Sequence, residues 1–98
     1  MTLLQLYLAF LPLARAKPRF SPRQFCIMLY LILNEEPREL CTMSKDLQVS
    51  KAATSRALDN LVAEGHAERI TKADDKRRRY VTITEAGRLF IAKLCVAT

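Results

Sequence analysis

Glycine is nearly missing from this 98-residue chain, with two residues, and tryptophan is missing altogether. So few glycines argue against a turn-rich sandwich or barrel and for helices. Histidine occurs once, and cysteine three times, at Cys26, Cys41 and Cys95. An odd, widely spaced cysteine set with one histidine is a poor basis for a disulfide framework or a zinc site. Each cysteine lies among apolar residues and is expected to fill core space. The alternative, a redox-sensing thiol, needs a depressed thiol pKa. A Gly-rich phosphate loop, a nucleophile elbow and a metal-ligand cluster are all lacking, so neither catalysis nor a cofactor is expected.

No apolar run is long enough to span a bilayer as a helix, so no membrane partner is expected. Leu3 to Leu13, followed by Ala14-Arg15-Ala16, has the outline of a signal peptide, but no Lys or Arg precedes it. A bacterial-type cytoplasmic protein at the nucleoid is the expectation. A secreted cationic peptide cleaved near Ala16 is the alternative.

What the chain does have is apolar mass and positive charge. Half of its residues are hydrophobic, which suits one domain with one core. Its 16 basic and 10 acidic residues leave a net charge of +6, which favours an anionic partner. Placement says more than the total. Lys72 to Arg79 carries five basic residues against Asp74 and Asp75.

Local signals order the chain. Residues 2 to about 16 read as a helix that is apolar on most faces, with Pro12 expected to kink or end it. Ser21, Pro22 and Gln24 open a second helix with a capping box, and it stops near Asn34 ahead of Pro37. A third runs from about Arg38 to Leu47, with Leu40, Met43 and Leu47 on one face and no clear cap. Ser50 caps a fourth, whose Thr54, Ala57, Leu58 and Leu61 form an inward stripe and which Gly65 stops. The Thr54 hydroxyl is out of place on that stripe and is expected to bond back along the helix. His66 to Thr71 and Tyr80 to Thr84 alternate as two strands around a charged tip. Thr84 caps a last helix through Leu94. The predicted fold is mainly α with a small antiparallel β-wing (α+β): a winged helix-turn-helix over residues 21–98, preceded by an apolar helix and linker over residues 1–20.

This order can present a helix to a DNA major groove beside a basic hairpin. Ser50, Lys51, Ala52, Ser55 and Arg56 form the candidate recognition surface. Ser and Arg offer donors to base edges, and alanines let the backbone approach closely. The plain alternative is a solvated helix face. Lys72, Lys76, Arg77 and Arg78 are the candidate wing contacts, because cationic side chains suit the negative potential of a narrow minor groove. Asp59 and Asp75 are expected to orient neighbouring basic side chains. His66 is expected to be structural, and Met28 and Met43 to lie in the core. The partner implied is double-stranded DNA. A winged-helix protein-interaction module without sequence-specific DNA binding is the rival reading.

The stretch from Arg38 to Gly87 resembles the winged helix-turn-helix core of MarR-type transcriptional regulators. The residues that carry the likeness are Val49-Ser50-Lys51, Ser55-Arg56-Ala57-Leu58-Asp59, Asp75-Lys76-Arg77 and Thr82-Ile83-Thr84-Glu85-Ala86-Gly87. The resemblance implies a regulator, typically a dimeric repressor, whose recognition helix reads the major groove through Ser50, Lys51, Ser55 and Arg56. It places Lys76 and Arg77 in the minor groove. Many members also answer a small-molecule effector. The long C-terminal helices that build most of the family's dimer domain have little counterpart before Thr98, which puts ligand sensing in doubt. The apolar first helix is then expected to supply a homodimer contact through Leu3, Leu4, Tyr7, Leu8 and Leu11.

Overall fold

The computed structural model describes residues 2–15, 21–34, 36–72 and 75–97, with backbone alone at residues 13, 72, 75–77 and 94–97. In order these residues form α1 (Leu3–Arg15), α2 (Pro22–Leu33), β1 (Arg38–Glu39), α3 (Leu40–Leu47), α4 (Lys51–Ala63), β2 (Ala67–Lys72), β3 (Asp75–Ile83) and α5 (Glu85–Ala97). The strands make one antiparallel sheet in the order β1-β3-β2.

The cap signals produce the helix starts. Gln24 N–H donates to Ser21 Oγ at 3.1 Å and Ser21 N–H to Gln24 Oε1 at 2.9 Å, a reciprocal box that satisfies two otherwise orphaned donors. Ser50 Oγ accepts from Ala53 N–H at 3.1 Å at the head of α4. Thr84 Oγ1 accepts from Gly87 N–H at 3.1 Å at the head of α5, and its own hydroxyl donates to the Gly65 carbonyl at 2.6 Å. Gly65 sits at φ +78°, just past the end of α4, where a left-handed residue closes the helix.

The core joins α2, α3, α4, α5 and the sheet. Ile27, Met28 and Leu31 of α2 meet Met43 of α3, Ala57, Leu58 and Leu61 of α4, Ala67, Val81 and Ile83 of the sheet, and Ile91 of α5. The stripe Thr54, Ala57, Leu58 and Leu61 faces inward as the spacing requires. His66 stacks at a tilt on Phe90, with ring centroids 5.1 Å apart, tying the start of the wing to α5. On the far side of α2, Tyr30 donates to Asp46 Oδ2 at 2.7 Å and so links α2 to α3. Partial burial, then the Asp46 carboxylate, push the Tyr30 phenol up to about 12.

Five expectations are corrected. Arg38 and Glu39 form a strand and do not open α3. They pair with Val81 and Tyr80 on the free edge of β3, and helical periodicity begins only at Leu40. Of the two outcomes expected at Pro12, an end to the helix does not occur: α1 continues through it to Arg15, close to the expected span. The wing strands run further than their alternation suggested, to Lys72 and from Asp75, because the ladder is held by backbone hydrogen bonds that charged side chains do not oppose. Cys26 is exposed and Cys41 partly buried, so neither is a core filler; each falls off the inward stripe of its helix. The Cys95 side chain lies outside the described residues. The buried Thr54 hydroxyl does not bond back along α4: it has no hydrogen-bond partner.

Candidate nucleic-acid interface

Helices α3 and α4 are joined by Gln48, Val49 and Ser50. Gln48 adopts the left-handed conformation at φ 55°, and this single residue reverses the chain. Val49 N–H donates to the Ser44 carbonyl at 3.1 Å and closes the turn. Because the inward stripe of α4 is locked in the core, its opposite face has to be presented outward. That face carries Ala52, Arg56 and Asp59, all exposed, with Ser55 half-buried beside them. Ser50 and Lys51 are exposed at the N-terminal end, where Ser50 also serves as the cap. The Lys51 ammonium is pushed up by the adjacent Cys41 thiol of α3, with Glu39 adding to the effect. Ala52, Ser55 and Arg56 lie off the inward stripe, away from the core.

The two flanks of α4 differ. On one, Asp59 forms an ion pair with Arg69 of β2, fastening α4 to the root of the wing. On the other, Ala53, Arg56, Ala57 and Asn60 line a cleft of about 150 Å³ shared with Ser21, Arg23 and Gln24 of the α2 N-terminus. A larger cleft of about 310 Å³ lies near it, lined by Pro22, Arg23, Cys26, Leu47 and Val49. Arg23, Asn60 and Arg69 escaped the sequence reading. Their roles depend on which elements pack together, and nothing in local spacing announces them.

In the wing, Arg78 and Arg79 are exposed on β3. Lys72 closes β2, Asp75 opens β3 opposite it, and Lys76 and Arg77 follow in β3. The side chains of Lys72, Asp75, Lys76 and Arg77 lie outside the described residues, as does Asp74 entirely. Among the described residues, no group of three metal-ligating side chains comes together, and no helix is long and apolar enough to cross a membrane.

No protein-family model matches this sequence, and no curated protein sequence does either. Solved structures do match. RV1404 from Mycobacterium tuberculosis superposes with a TM-score of 0.85 at 22% identity, over 96% of this chain and 63% of that one. The transcriptional regulator Tm0710 from Thermotoga maritima gives 0.78 at 26% identity, over 92% and 61%. A mutant of MarR from E. coli complexed with operator DNA gives 0.79 at 24% identity, over 92% and 62%. The fold is the winged helix of MarR-type regulators. This chain spans about three fifths of the length of these structures. These superpositions include 92–96% of this chain.

Proposed function

We propose that this protein is a sequence-specific double-stranded DNA-binding transcriptional regulator acting as a dimeric repressor in the cytoplasm, on the nucleoid. Helix α4 enters the major groove with Ser50, Lys51, Ala52, Ser55 and Arg56, and the wing reaches the adjacent minor groove with Lys72, Lys76, Arg77 and Arg78. The observation that carries this reading is the outward face of α4. It is small, polar and cationic, it has the core stripe directly behind it, and an ion pair braces it against the wing root. Such a face can approach base edges closely, and a braced helix does so without reorganising. Three of the similar structures, one from E. coli and two from S. aureus, were solved with DNA.

The dimer follows from α1. Leu3, Leu4, Tyr7 and Leu8 are 86, 65, 60 and 44% exposed, and Leu11 is half-buried. Phe10 of the same helix packs edge-on against Phe25 of α2, with centroids 6.4 Å apart, and α1 also contacts α5. The helix is thus anchored on one side and bare on the other. Burying a leucine contributes about 1.5–3 kcal/mol, so a second copy meeting this row would bind firmly through a two-fold contact. Two copies also match the two half-sites of a palindromic operator.

The test is selection of bound duplexes from a random pool, with equilibrium sedimentation of the same sample. Recovery of a two-fold sequence by a dimer is expected. A chain that recovers no sequence, or that stays monomeric at high concentration, refutes the corresponding half of the proposal.

A further inference from the structure

Arg23 and Arg56 line one cleft, although they come from different helices that meet only in the tertiary fold. The cleft is about 150 Å³ and opens to solvent, so a tetrahedral anion can enter it. Among the described residues, none of those lining it is acidic. Neither arginine is paired with a carboxylate among the described residues, whereas Arg69 on the opposite flank of α4 is neutralised by Asp59. Ser21 and Gln24 satisfy one another in the capping box. Among the described residues, the side-chain donors left to the cleft are therefore the two guanidinium groups and the Asn60 amide. Planar guanidinium forks are suited to paired hydrogen bonds with phosphate oxygens.

We propose that this cleft is a docking site for one phosphate of the DNA backbone, with Arg23, Arg56 and Asn60 as its ligands. This rests on the reading of α4 as the helix that enters the groove. It makes the α2 N-terminus a third point of DNA contact besides α4 and the wing. It also reassigns Arg56 from base reading to backbone anchoring, because Arg56 turns toward α2 while Ala52 and Ser55 remain for the bases. An anchor of this kind sets the depth and register of α4 without itself carrying sequence information.

The test uses fluorescence anisotropy of the intact chain on two labelled duplexes of equal length: one recovered from a random pool by the unmodified protein, the other its scramble. Titrations run between roughly 50 and 200 mM salt. Arg23→Ala and Arg56→Ala are each expected to weaken both duplexes by the same factor, roughly tenfold at low salt. Each should also lower the slope of log affinity on log salt by about 0.9. Arg23→Lys should restore the slope, and Asn60→Asp, which sets a carboxylate in the cleft, should weaken both duplexes. Pools selected by the Arg23→Ala and Arg56→Ala proteins should return the original sequence. All of these residues are solvent-exposed, and unchanged thermal melting confirms that the variants fold. If Arg23→Ala leaves affinity and slope untouched while the unmodified chain still prefers its selected duplex, the cleft assignment fails and the DNA-binding reading stands. A changed base preference with Arg56→Ala would return Arg56 to base reading and overturn the assignment as well. An unmodified chain that binds neither duplex overturns both.

Discussion

Gly87 is where a single methyl group should do most damage. It lies in the first turn of α5, three residues after the Thr84 cap. Its φ is not in the left-handed region, so the requirement is for space and not for conformation. A Cβ built there would run into the His66 carbonyl oxygen and stand 2.8 Å from Ile83 Cγ1. The His66 carbonyl cannot move aside freely, since it accepts the Thr84 N–H at 3.1 Å and so joins the start of the wing to the start of α5. Overpacking a tight site costs about 1–3 kcal/mol, and an unyielding backbone atom places this one at the upper end. Disturbing the Thr84 cap adds about 1 kcal/mol. The better helix propensity of alanine returns about 1 kcal/mol. Gly87→Ala is therefore expected to destabilise the fold by about 3 kcal/mol, a large share of the 5–15 kcal/mol typical of a domain. In urea, with a slope near 1.5 kcal/mol/M, the midpoint should fall by about 2 M. Gly65→Ala is the matched control. Gly65 has nothing within 4 Å of an added Cβ, and its φ of +78° should cost about 1 kcal/mol in strain alone. Far-UV circular dichroism melts of the three proteins decide the matter. A Gly87→Ala protein as stable as the parent, or a Gly65→Ala protein that loses more than it does, would refute the steric argument.

Three further outcomes are expected. Thr54→Val should stabilise the chain by about 1 kcal/mol in the same urea melts, because Thr54 is fully buried and its hydroxyl is unpartnered; a loss of stability would reveal a hydrogen bond that this geometry lacks. The Tyr30 phenol, raised from 10.0 to about 12, contributes stability that is complete below pH 10 and is lost as pH climbs from 10 toward 12, where the unfolded phenol ionises first. Melts at pH 9 and 11.5 should show that loss, and Tyr30→Phe should reduce it; an equal loss in both proteins would assign it elsewhere. Cys26 is exposed and Cys41 only partly so, hence peptide mapping after brief alkylation of the native protein should find Cys26 modified well before Cys41; the reverse order would contradict the placement of α2.

Much of this architecture is readable before any folding is considered, and the readable parts share a cause. The box at Ser21 and Gln24, the caps at Ser50 and Thr84, the stop at Gly65 and the stripe through Thr54, Ala57, Leu58 and Leu61 all depend on residues within a few positions of one another. A hydrogen bond from a cap to the third residue of a helix, or a 3.6-residue repeat, is written locally. The misreadings also share a cause. Arg38 and Glu39 become a strand only because β3, some forty residues later, offers a free edge. Cys26 has apolar neighbours in sequence yet looks outward, since the angle at which α2 meets the core is set by Ile27, Met28 and Leu31 together.

The candidate interface divides along the same line. Sequence alone determined the helix-turn-helix, the wing and the candidate face from Ser50 to Arg56, because caps and periodicity act through neighbouring residues. Tertiary structure decided which flank of α4 is tied to the wing by Asp59 and Arg69, and that Arg23 of α2 stands across a cleft from Arg56. Those arrangements arise from burying several apolar stripes at once, and the packing angles that result are a property of the whole core, written in no single segment.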